Sequence, residues 1–543
     1  MGNRSWLVWP LAAWLLFAAM ALWLAHGNLA LDTDSAMRLV QVRDLLAGQG
    51  WFDTVQHRMN APYGLPMHWS RLVDAPLALL SLISERVALV TWPLLLFAAL
   101  LVLLSRLAAR LDVRLGGRPA MAVVLILTLF CPELYAIFTP GNIDHHGLQL
   151  VLMLAALVGV VERRPYLTAI AVAVSLGVGL ETLPYVLVAI GFSLIDQDRA
   201  RKFGLTLAVL SLLLLVATTA DPYRAAPVCD TYSLFYAVLL ASGGLGAAAI
   251  SLLPRHRVVA LIGLGVALAA IAALLNPACL AGPYGGLDAR MQTLFFARIN
   301  EAHPVWDFFR LSPSQTVGGY VYAVFALVLC FAAPAGRARN IAIAFATVAL
   351  AVATFQYRAT PFVLVFALPG LAAALTVLWD RYGLILFAVV LIFANGVAFT
   401  LAASLVEGQE RVATRATAFV RQVACGEEPA MAALKSLPPG RVAGFVDQGP
   451  AILAYTPQGA IAGPYHRDAA GILDSYEIFA GKNPRVVLDR RGVDYVMTCR
   501  GAPDWDFYRA QGGLVAELAQ NRKPDWLTPV GRSGDVVVYR VKR

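Results

Sequence analysis

The stretch that decides the fold is residues 121–164, which read MAVVLILTLFCPELYAIFTPGNIDHHGLQLVLMLAALVGVVERR. Two apolar runs, of a length that can cross a bilayer, flank a short turn that contains Asp144 and His146. The second run ends at a pair of arginines, Arg163 and Arg164. Acid and histidine at one end of an apolar segment and arginine at the other indicate helices that cross a membrane in a defined direction.

The composition extends this pattern to the whole chain. Hydrophobic residues make up 59% of the 543 positions, and charged residues only 14%. A soluble protein of this length could not bury so much apolar surface. The formal net charge of +9 comes from basic residues in short clusters between apolar runs, which is typical of cytoplasmic loops. We therefore expect no nucleic-acid partner.

Thirteen apolar segments predict a polytopic α-helical membrane protein with about 13 transmembrane helices. A few segments are short, so they would need tilted or protein-buried helices. The segments lie at about 6–25, 83–104, 119–138, 147–161, 166–180, 183–195, 203–219, 231–253, 258–275, 317–334, 340–354, 361–378 and 384–404.

The loops between these segments alternate in charge. By the positive-inside rule the basic loops are cytoplasmic, together with Arg4 near the amino terminus. An odd number of spans then places the carboxyl-terminal part on the other side. We predict a multi-pass protein of the cell inner membrane with a cytoplasmic amino terminus and a periplasmic carboxyl-terminal domain. The basic loops are at residues 106–118, 163–164, 199–202, 255–257, 337–339 and 381.

The composition changes near Glu407, which predicts two domains: a transmembrane domain at residues 1–404 and a soluble α/β domain at residues 405–543. The second domain contains amphipathic helical stretches and short β-like runs. The predicted strands lie at residues 442–446, 451–455, 495–498 and 536–541.

Four of the six cysteines fall on the predicted outer side. Cys229 and Cys279 lie at the outer ends of two consecutive segments, and Cys425 and Cys499 lie in the soluble domain. Each pair would be in an oxidising compartment, so each is a disulfide candidate. Free cysteines at packed positions are the alternative.

Two acidic motifs follow apolar segments on the predicted outer side. Asp32 and Asp34 are two residues apart and can bind a hard divalent cation through oxygen. Asp144 and His146 offer an oxygen and an imidazole ligand from one turn, a mixture that suits manganese or another transition ion. Helix N-caps explain the same residues without any ligand, so both interpretations stay open.

Two further residues lie on that side. Glu301, in the long loop at residues 276–316, matters because it can return to the face that carries the other acids. Arg358 lies between the eleventh and twelfth segments and presents a planar fork of donors that matches phosphate oxygens. A side chain that extends its charge to the membrane interface is the alternative for Arg358.

In order and spacing, these motifs resemble the catalytic subunit of asparagine-linked oligosaccharyltransferases, especially the archaeal form, within the GT-C glycosyltransferases. The family's first motif is an Asp six residues before an Arg, as Asp32 is before Arg38, and its second is Asp-x-Asp or Asp-x-His, as at residues 144–146. The resemblance implies a GT-C fold with thirteen spans and an outward carboxyl-terminal domain. It also matches Glu301 to the family's glutamate between spans nine and ten, and Arg358 to the arginine that contacts the donor pyrophosphate.

The chain departs from the family at two motifs. Glu301 is preceded by Ile-Asn, so the Ser/Thr of the family's Ser/Thr-x-x-Glu motif is not clearly kept. The family's Trp-Trp-Asp-Tyr-Gly motif, which recognises the hydroxyl residue of the acceptor sequon, corresponds to Gly444–Pro450, where Asp447 remains and both tryptophans are absent. The acceptor therefore need not be a sequon. For residues 464–467, which include the candidates His466 and Arg467, a structural role is the alternative to acceptor binding. The candidate acceptor-binding residues are Asp447, Gln448, His466 and Arg467.

The resemblance implies a metal-dependent, inverting glycosyltransferase. It would transfer a sugar or oligosaccharide from a polyprenyl phosphate or pyrophosphate donor to an acceptor protein, lipid or glycan on the outer side of the membrane. A transporter or flippase of lipid-linked sugars is the alternative, and it would place ionisable residues near the bilayer midplane and often show inverted repeats. The acids in this chain lie at loop boundaries, and no repeat is visible.

The expected roles of the site residues follow from this function. The cofactor is a divalent metal, Mn²⁺ or Mg²⁺, and Arg358 would bind the donor phosphate. The expected metal ligands are Asp32, Asp144, His146 and Glu301. The expected catalytic residues are Asp32, Asp34 and Glu301.

Overall fold

The computed structural model describes residues 7–26, 29–115, 118–221, 223–253, 255–282, 284 and 287–542, so Arg4 lies outside the described residues. Helices dominate the first 407 residues. In chain order, α1 to α19 are Val8–Leu24, Thr33–Leu46, Arg71–Ser81, Glu85–Arg110, Met121–Leu129, Pro132–Tyr135, His146–Val161, Pro165–Val178, Leu183–Ser193, Gln197–Thr218, Leu234–Ile250, Arg257–Leu275, Arg290–Leu294, Val305–Leu311, Pro313–Thr316, Tyr322–Cys330, Arg337–Phe355, Thr360–Phe393 and Gly396–Glu407. Four short strands, β1 to β4, are Val55–Gln56, Leu65–Pro66, Arg114–Leu115 and Arg118–Pro119.

The helices have the length and composition of a multi-pass membrane protein. Within the described residues, six helices are long and apolar enough to cross a membrane, or seven if the bent pair α5–α6 forms one span. Six further apolar helices have 10–17 residues. Large apolar side chains are exposed along these helices, as expected where lipid rather than water is the solvent. The total of 13 spans stays a prediction.

Two predicted spans are broken. The segment at residues 119–138 bends by 79° between α5 and α6, because Pro132 lacks an N–H and disfavours helical geometry at Cys131. The last segment, predicted as one span at residues 384–404, is divided between the end of α18 and α19. Asn395 causes this break, since its side chain accepts a hydrogen bond from the Ala398 amide at 3.0 Å and caps α19. The predicted segment therefore comprises parts of two helices.

A five-stranded sheet with helices around it forms the last part of the chain. Its strand order is β6-β5-β7-β9-β8, with β5 parallel to both β6 and β7, and β9 antiparallel to β7 and β8. The predicted strand at residues 451–455 was wrong: this run is part of a helix, because a short apolar run that is buried on all sides suits either structure. The strands β5 to β9 are Arg441–Ala443, Gly459–Ala460, Tyr495–Cys499, Leu527–Ser533 and Val536–Val541. Helices α20 to α26 are Gln409–Ala424, Ala432–Lys435, Gly449–Tyr455, Ala469–Phe479, Pro484–Arg491, Pro503–Gln511 and Gly513–Ala519.

The loop that follows α2 is joined to this sheet. The Ala61 amide donates to the Ala460 carbonyl at 3.0 Å, and the Ala460 amide donates to the Arg58 carbonyl at 2.9 Å. The Arg58 side chain donates to three carbonyls at the end of α22 and in the turn after it, including those of Leu453 and Thr456, each at 2.9 Å. One hydrophobic core contains side chains from α2, from this loop and from the sheet. The first loop and the carboxyl-terminal part therefore pack against each other and share one core.

Both candidate cysteine pairs form disulfides. Cys229 is bonded to Cys279, and Cys425 is bonded to Cys499. Cys131 and Cys330 are free and buried among the helices.

Candidate functional site

The turn before α7 holds the centre of the candidate site. Asp144 is 5% exposed, and its Oδ1 accepts a hydrogen bond from the His145 amide at 2.6 Å and contacts His145 Nδ1. Its other oxygen, Oδ2, lies 3.2 Å from His146 Nε2. Burial would raise the pKa of Asp144, but the two imidazoles outweigh it and hold this pKa well below the ordinary value. Asp144 is therefore an ionised carboxylate with an imidazole on each oxygen.

The first acidic motif meets this turn from α2. The Ile143 amide donates a hydrogen bond to Ser35 Oγ at 3.1 Å, which joins the two motifs although they are 108 residues apart. Asp32 caps α2, since its Oδ1 accepts from the Ser35 amide at 2.6 Å, so the N-cap interpretation of this residue is confirmed. Burial, with repulsion from Asp144 and Asp32, raises the pKa of Asp34 well above its ordinary value. Asp34 is thus repelled by the neighbouring carboxylates of Asp32 and Asp144.

Buried ion pairs hold α2 in this position. Arg38 Nη1 lies 2.9 Å from Asp74 Oδ1, and Arg71 Nη1 lies 3.0 Å from Asp74 Oδ2. All three side chains are almost completely buried. The Arg38 guanidinium also lies over the Trp69 ring, 4.4 Å from its centroid. The two arginines share one carboxylate, and this buried network fixes α2 beside the turn that carries Asp144.

Glu301 and Arg358 approach from two other segments. The loop that carries Glu301 is fastened to the turn that carries Arg358, because the Tyr357 amide donates to the His303 carbonyl at 3.0 Å. Glu301 interacts electrostatically with Asp34, with His146 and with Arg358. The structure therefore brings Asp32, Asp34, Asp144, His146, Glu301 and Arg358 together at one end of the helical bundle.

Glu181 completes this group and was missed by the sequence analysis. Its Oε2 lies 3.4 Å from His145 Nε2 and 3.4 Å from His146 Nδ1, and its Oε1 lies 3.6 Å from Arg358 Nη1. Glu181 thus connects the imidazoles to the arginine. The signal was present in the sequence, since a lone acid between two apolar segments is costly unless it binds something.

The donor set suits a divalent metal. Among the described residues, one group of three possible ligands has its ligand atoms within 4.8 Å of one another, namely Asp144, His145 and His146. Oxygen and imidazole nitrogen together suit manganese, zinc or another transition ion. A cation would also relieve the repulsion between the carboxylates of Asp34, Asp32 and Asp144. The arrangement differs from the expected ligand set in containing His145, while Asp32 and Glu301 lie outside this closest group.

The four candidate acceptor residues lie outside the acidic group, in the carboxyl-terminal part of the chain. Asp447 is open to solvent on one side, yet desolvation by the surrounding protein, with repulsion from Asp504, raises the pKa of its carboxyl to about 7. Gln448 is buried and accepts a hydrogen bond from the Phe445 amide at 3.2 Å. Neither residue belongs to the acidic group described above.

His466 and Arg467 contact Asp230, which lies in the loop between α10 and α11. Arg467 binds both carboxylate oxygens of Asp230, at 2.6 and 2.8 Å, and His466 Nε2 lies 2.7 Å from the same carboxylate. Although burial opposes it, hydrogen bonds from Arg467 and His466 hold the pKa of Asp230 far below its ordinary value. These contacts favour the structural interpretation of residues 464–467, and an acceptor role for them stays a prediction.

The fold is similar to that of the archaeal oligosaccharyltransferase AglB from Archaeoglobus fulgidus. Its structure in complex with an inhibitory peptide and a dolichol-phosphate aligns with a TM-score of 0.60 and 13% identity over 91% of this chain and 69% of that chain. The structure of the Archaeoglobus fulgidus oligosaccharyltransferase tethered with an acceptor peptide that contains the NVT sequon aligns with a TM-score of 0.58 and 14% identity. This alignment covers 91% of this chain and 70% of that chain. The complex of the Archaeoglobus fulgidus oligosaccharyltransferase with Zn and sulfate aligns with a TM-score of 0.56 and 15% identity. This alignment covers 90% of this chain and 68% of that chain.

No protein-family model matches the chain, and no curated protein matches it. At these identities the similarity concerns the fold. It confirms the predicted resemblance to oligosaccharyltransferases at that level, over nearly the whole chain.

Proposed function

We propose that this protein is a metal-dependent, inverting glycosyltransferase that uses a polyprenyl phosphate or pyrophosphate donor on the outer side of the membrane. The observation that carries the proposal is the convergence of acids, imidazoles and an arginine from four distant segments at one end of an oligosaccharyltransferase-like fold. The likeness to a protein whose structure contains dolichol-phosphate supports a lipid-linked donor.

Asp144, His145 and His146 would hold a divalent metal through oxygen and imidazole nitrogen, and the charges of Asp32 and Glu301 would add to its attraction. When bound, the cation supplies Lewis-acid stabilisation of the negative charge that develops on the leaving phosphate. Glu181 accepts a hydrogen bond from an imidazole and so fixes the ring orientation of His146, as carboxylates commonly do behind metal-binding histidines.

Arg358 would bind the donor phosphate. Its guanidinium is fastened by Glu181 at 3.6 Å and by Tyr284, and its fork of N–H donors matches phosphate oxygens. Because the arginine is held in place before the donor arrives, little order is lost on binding. The phosphate of the bound donor would thus meet an arginine whose position is already set.

Asp34 and Glu301 would act on the acceptor. Asp34 lies in the same group of acids as Asp32 and Asp144, and its carboxylate would act as a general base that removes a proton from the attacking group. Attack from the face opposite the leaving phosphate inverts the anomeric centre. The acids lie at the ends of helices rather than midway along them, which favours this reaction over the transporter alternative.

The acceptor is proposed to be a protein, a lipid or a glycan without the usual sequon. The two tryptophans of the family's acceptor motif are absent from Gly444–Pro450. The remaining acid, Asp447, faces Arg298 and Asp504, which form an ion pair at 2.6 Å. We propose the membrane orientation predicted from the basic loops, with the sheet on the periplasmic side.

The double variant Asp144→Ala with His146→Ala tests the proposal. Membranes that contain the full chain are incubated with labelled lipid-linked donor, and label is followed into protein, lipid and glycan fractions. We expect transfer to fall by a factor of at least ~10²–10³, as when one preorganised electrostatic contact is removed. Bound manganese, measured in the purified protein, should also be lost.

A matched control is the double variant Asp53→Ala with His57→Ala. This Asp–His pair is also in contact, at 3.3 Å, but it is exposed and lies in the first loop. Its transfer and metal content should equal those of the unaltered protein. Full activity in the Asp144/His146 variant, at equal protein levels in the membrane, would refute the proposed function.

A further inference from the structure

A basic cavity lies at the end of the helical bundle opposite the acidic site. Its volume is about 140 Å³, and its walls come from the end of α7, the start of α8, the end of α9, the start of α10 with the loop before it, and the start of α17. The polar groups at its wall include Thr168 and Ser193. Four arginines line it, Arg163, Arg164, Arg199 and Arg337.

The positive charge of this cavity is only partly neutralised. Asp196 is the one acid among the lining residues, and it lies 3.6 Å from Arg199 while capping α10. Arg337 donates to the carbonyls of Val160 and Val161, each at 3.3 Å, and is repelled by Arg163 and Arg199. Within the described residues, no carboxylate forms an ion pair with Arg163 or Arg337. An anion would remove this repulsion.

The backbone adds to the positive potential. Helix α8, of 14 residues, begins at Pro165 on the cavity wall, so the amino-terminal end of its dipole faces the space. Arginines and a helix amino terminus are the groups that bind phosphate in proteins. A space of this volume holds a phosphate group together with water.

The rim of the cavity is apolar and faces outward. Ile195, a lining residue, is 68% exposed, and Tyr166 on the first turn of α8 is 56% exposed. Further along the outer faces of α8 and α9, Ile170 and Leu187 are also exposed. Acyl chains can lie along this surface while a headgroup enters the cavity, so the surroundings favour a lipid over a free ion.

We propose that this cavity binds the phosphate of an anionic phospholipid. In the orientation derived from the basic loops, it opens at the cytoplasmic leaflet, where anionic lipids attract arginine-rich segments. The binding is independent of the glycosyl transfer proposed above, since no residue is shared between the two sites. The bound lipid would contact α7, α8 and α17, whose opposite ends carry residues of the acidic site or lie next to them.

Native mass spectrometry of the full chain in mild detergent tests this inference. The protein is titrated with phosphatidylglycerol, phosphatidylcholine or inorganic phosphate, and the bound molecules are counted. We expect one tightly held phosphatidylglycerol. The triple variant Arg163→Gln, Arg199→Gln, Arg337→Gln should bind it roughly a hundredfold more weakly, because each arginine near a membrane surface contributes about fivefold.

A control triple variant removes the same charge from the same side: Arg201→Gln, Arg255→Gln and Arg381→Gln. It should keep the bound lipid. If the cavity triple variant elutes as aggregate, Arg199→Gln alone should still weaken binding about fivefold. Unchanged phosphatidylglycerol binding in the cavity variants, equal binding of phosphatidylcholine, or displacement of the lipid by inorganic phosphate at similar concentration would each overturn the proposal.

Discussion

The two ends of helix α7 differ in charge and in how that charge is held. At one end, Asp144 and His146 meet α2, Glu181 and the turn at Arg358. At the other end, about 24 Å away for a helix of 16 residues, Arg163 and Arg164 border the basic cavity. The acidic end is assembled from segments that are distant in sequence, whereas the basic end is built from short loops that are rich in arginine. One bundle thus separates the proposed cation site from the proposed anion site.

Among the tests, removal of divalent metal should produce the largest difference between transfer at the acidic end and lipid binding at the basic end. Treatment with EDTA is expected to lower transfer by a factor of at least ~10²–10³, since the Lewis acid at the leaving phosphate is lost. Addition of Mn²⁺ or Mg²⁺ should restore it, as measured with labelled donor. Phosphatidylglycerol binding at the basic end should not change. Full transfer activity after EDTA treatment would refute the proposal that the reaction at the acidic site requires a divalent metal.

The variant Glu181→Gln should have the next largest effect. It weakens the contacts with His145, His146 and Arg358 without changing the size of the side chain. Transfer and manganese affinity are expected to fall by roughly 10- to 100-fold, as when the carboxylate behind a metal-binding histidine is altered. Both are measured on purified protein.

The matched control for Glu181 lies at the other end of the bundle. Glu162 pairs with Arg106 and with Arg164, so Glu162→Gln changes an equally charged residue that is remote from the acidic site. Its transfer and metal affinity should stay within about twofold of those of the unaltered protein. Equal losses in both variants would show that Glu181 acts through general stability.

Arg358→Lys tests whether the acidic end needs a planar cation. Lysine keeps the charge but loses the fork of donors, so the KM for the donor should rise about tenfold, with little change in kcat. Steady-state kinetics over a range of donor concentrations measure this split. The companion variant Arg337→Lys, in the basic cavity, should leave the donor KM unchanged. A fall in kcat alone for Arg358→Lys would contradict a role in donor binding.

Asp230→Asn should have the smallest effect on transfer. It weakens a partly buried contact with Arg467 and His466, so stability should fall by roughly 1.5–3 kcal/mol, and the midpoint of thermal unfolding in detergent should drop. Transfer by the protein that remains folded should stay within about threefold. Asp198→Asn, which alters an exposed contact with Lys202, should not shift the midpoint. A large loss of transfer without loss of stability would favour an acceptor role for residues 464–467.

Much of the fold was predictable, because apolar periodicity and the alternation of basic loops are local signals. The breaks were less so. Pro132 bends a predicted span, and Asn395 divides another by capping the helix that follows it. The run at residues 451–455 was predicted as a strand and is a helix, since burial on all sides removes the periodicity that distinguishes the two.

The candidate site was predicted residue by residue and not as a set of contacts. Asp32, Asp34, Asp144, His146, Glu301 and Arg358 were all identified from motifs, and the structure gathers them. The ring contacts of His145 and the position of Glu181 between His146 and Arg358 depend on how α7, α9 and α18 pack. Spacing along the chain carries no information on such contacts.

The amino-acid sequence by itself determined that this chain enters a membrane many times, with basic loops on one side and acidic motifs on the other. It did so because two free energies are set residue by residue: the gain from moving an apolar side chain from water into lipid, and the cost of burying a charge there. Only the tertiary structure decided which charges are paired, as Arg38 and Arg467 are, and which are held together without enough counter-charge, as at the acidic site and the basic cavity. Pairing depends on distances between segments, and these are set by the packing of helices against one another.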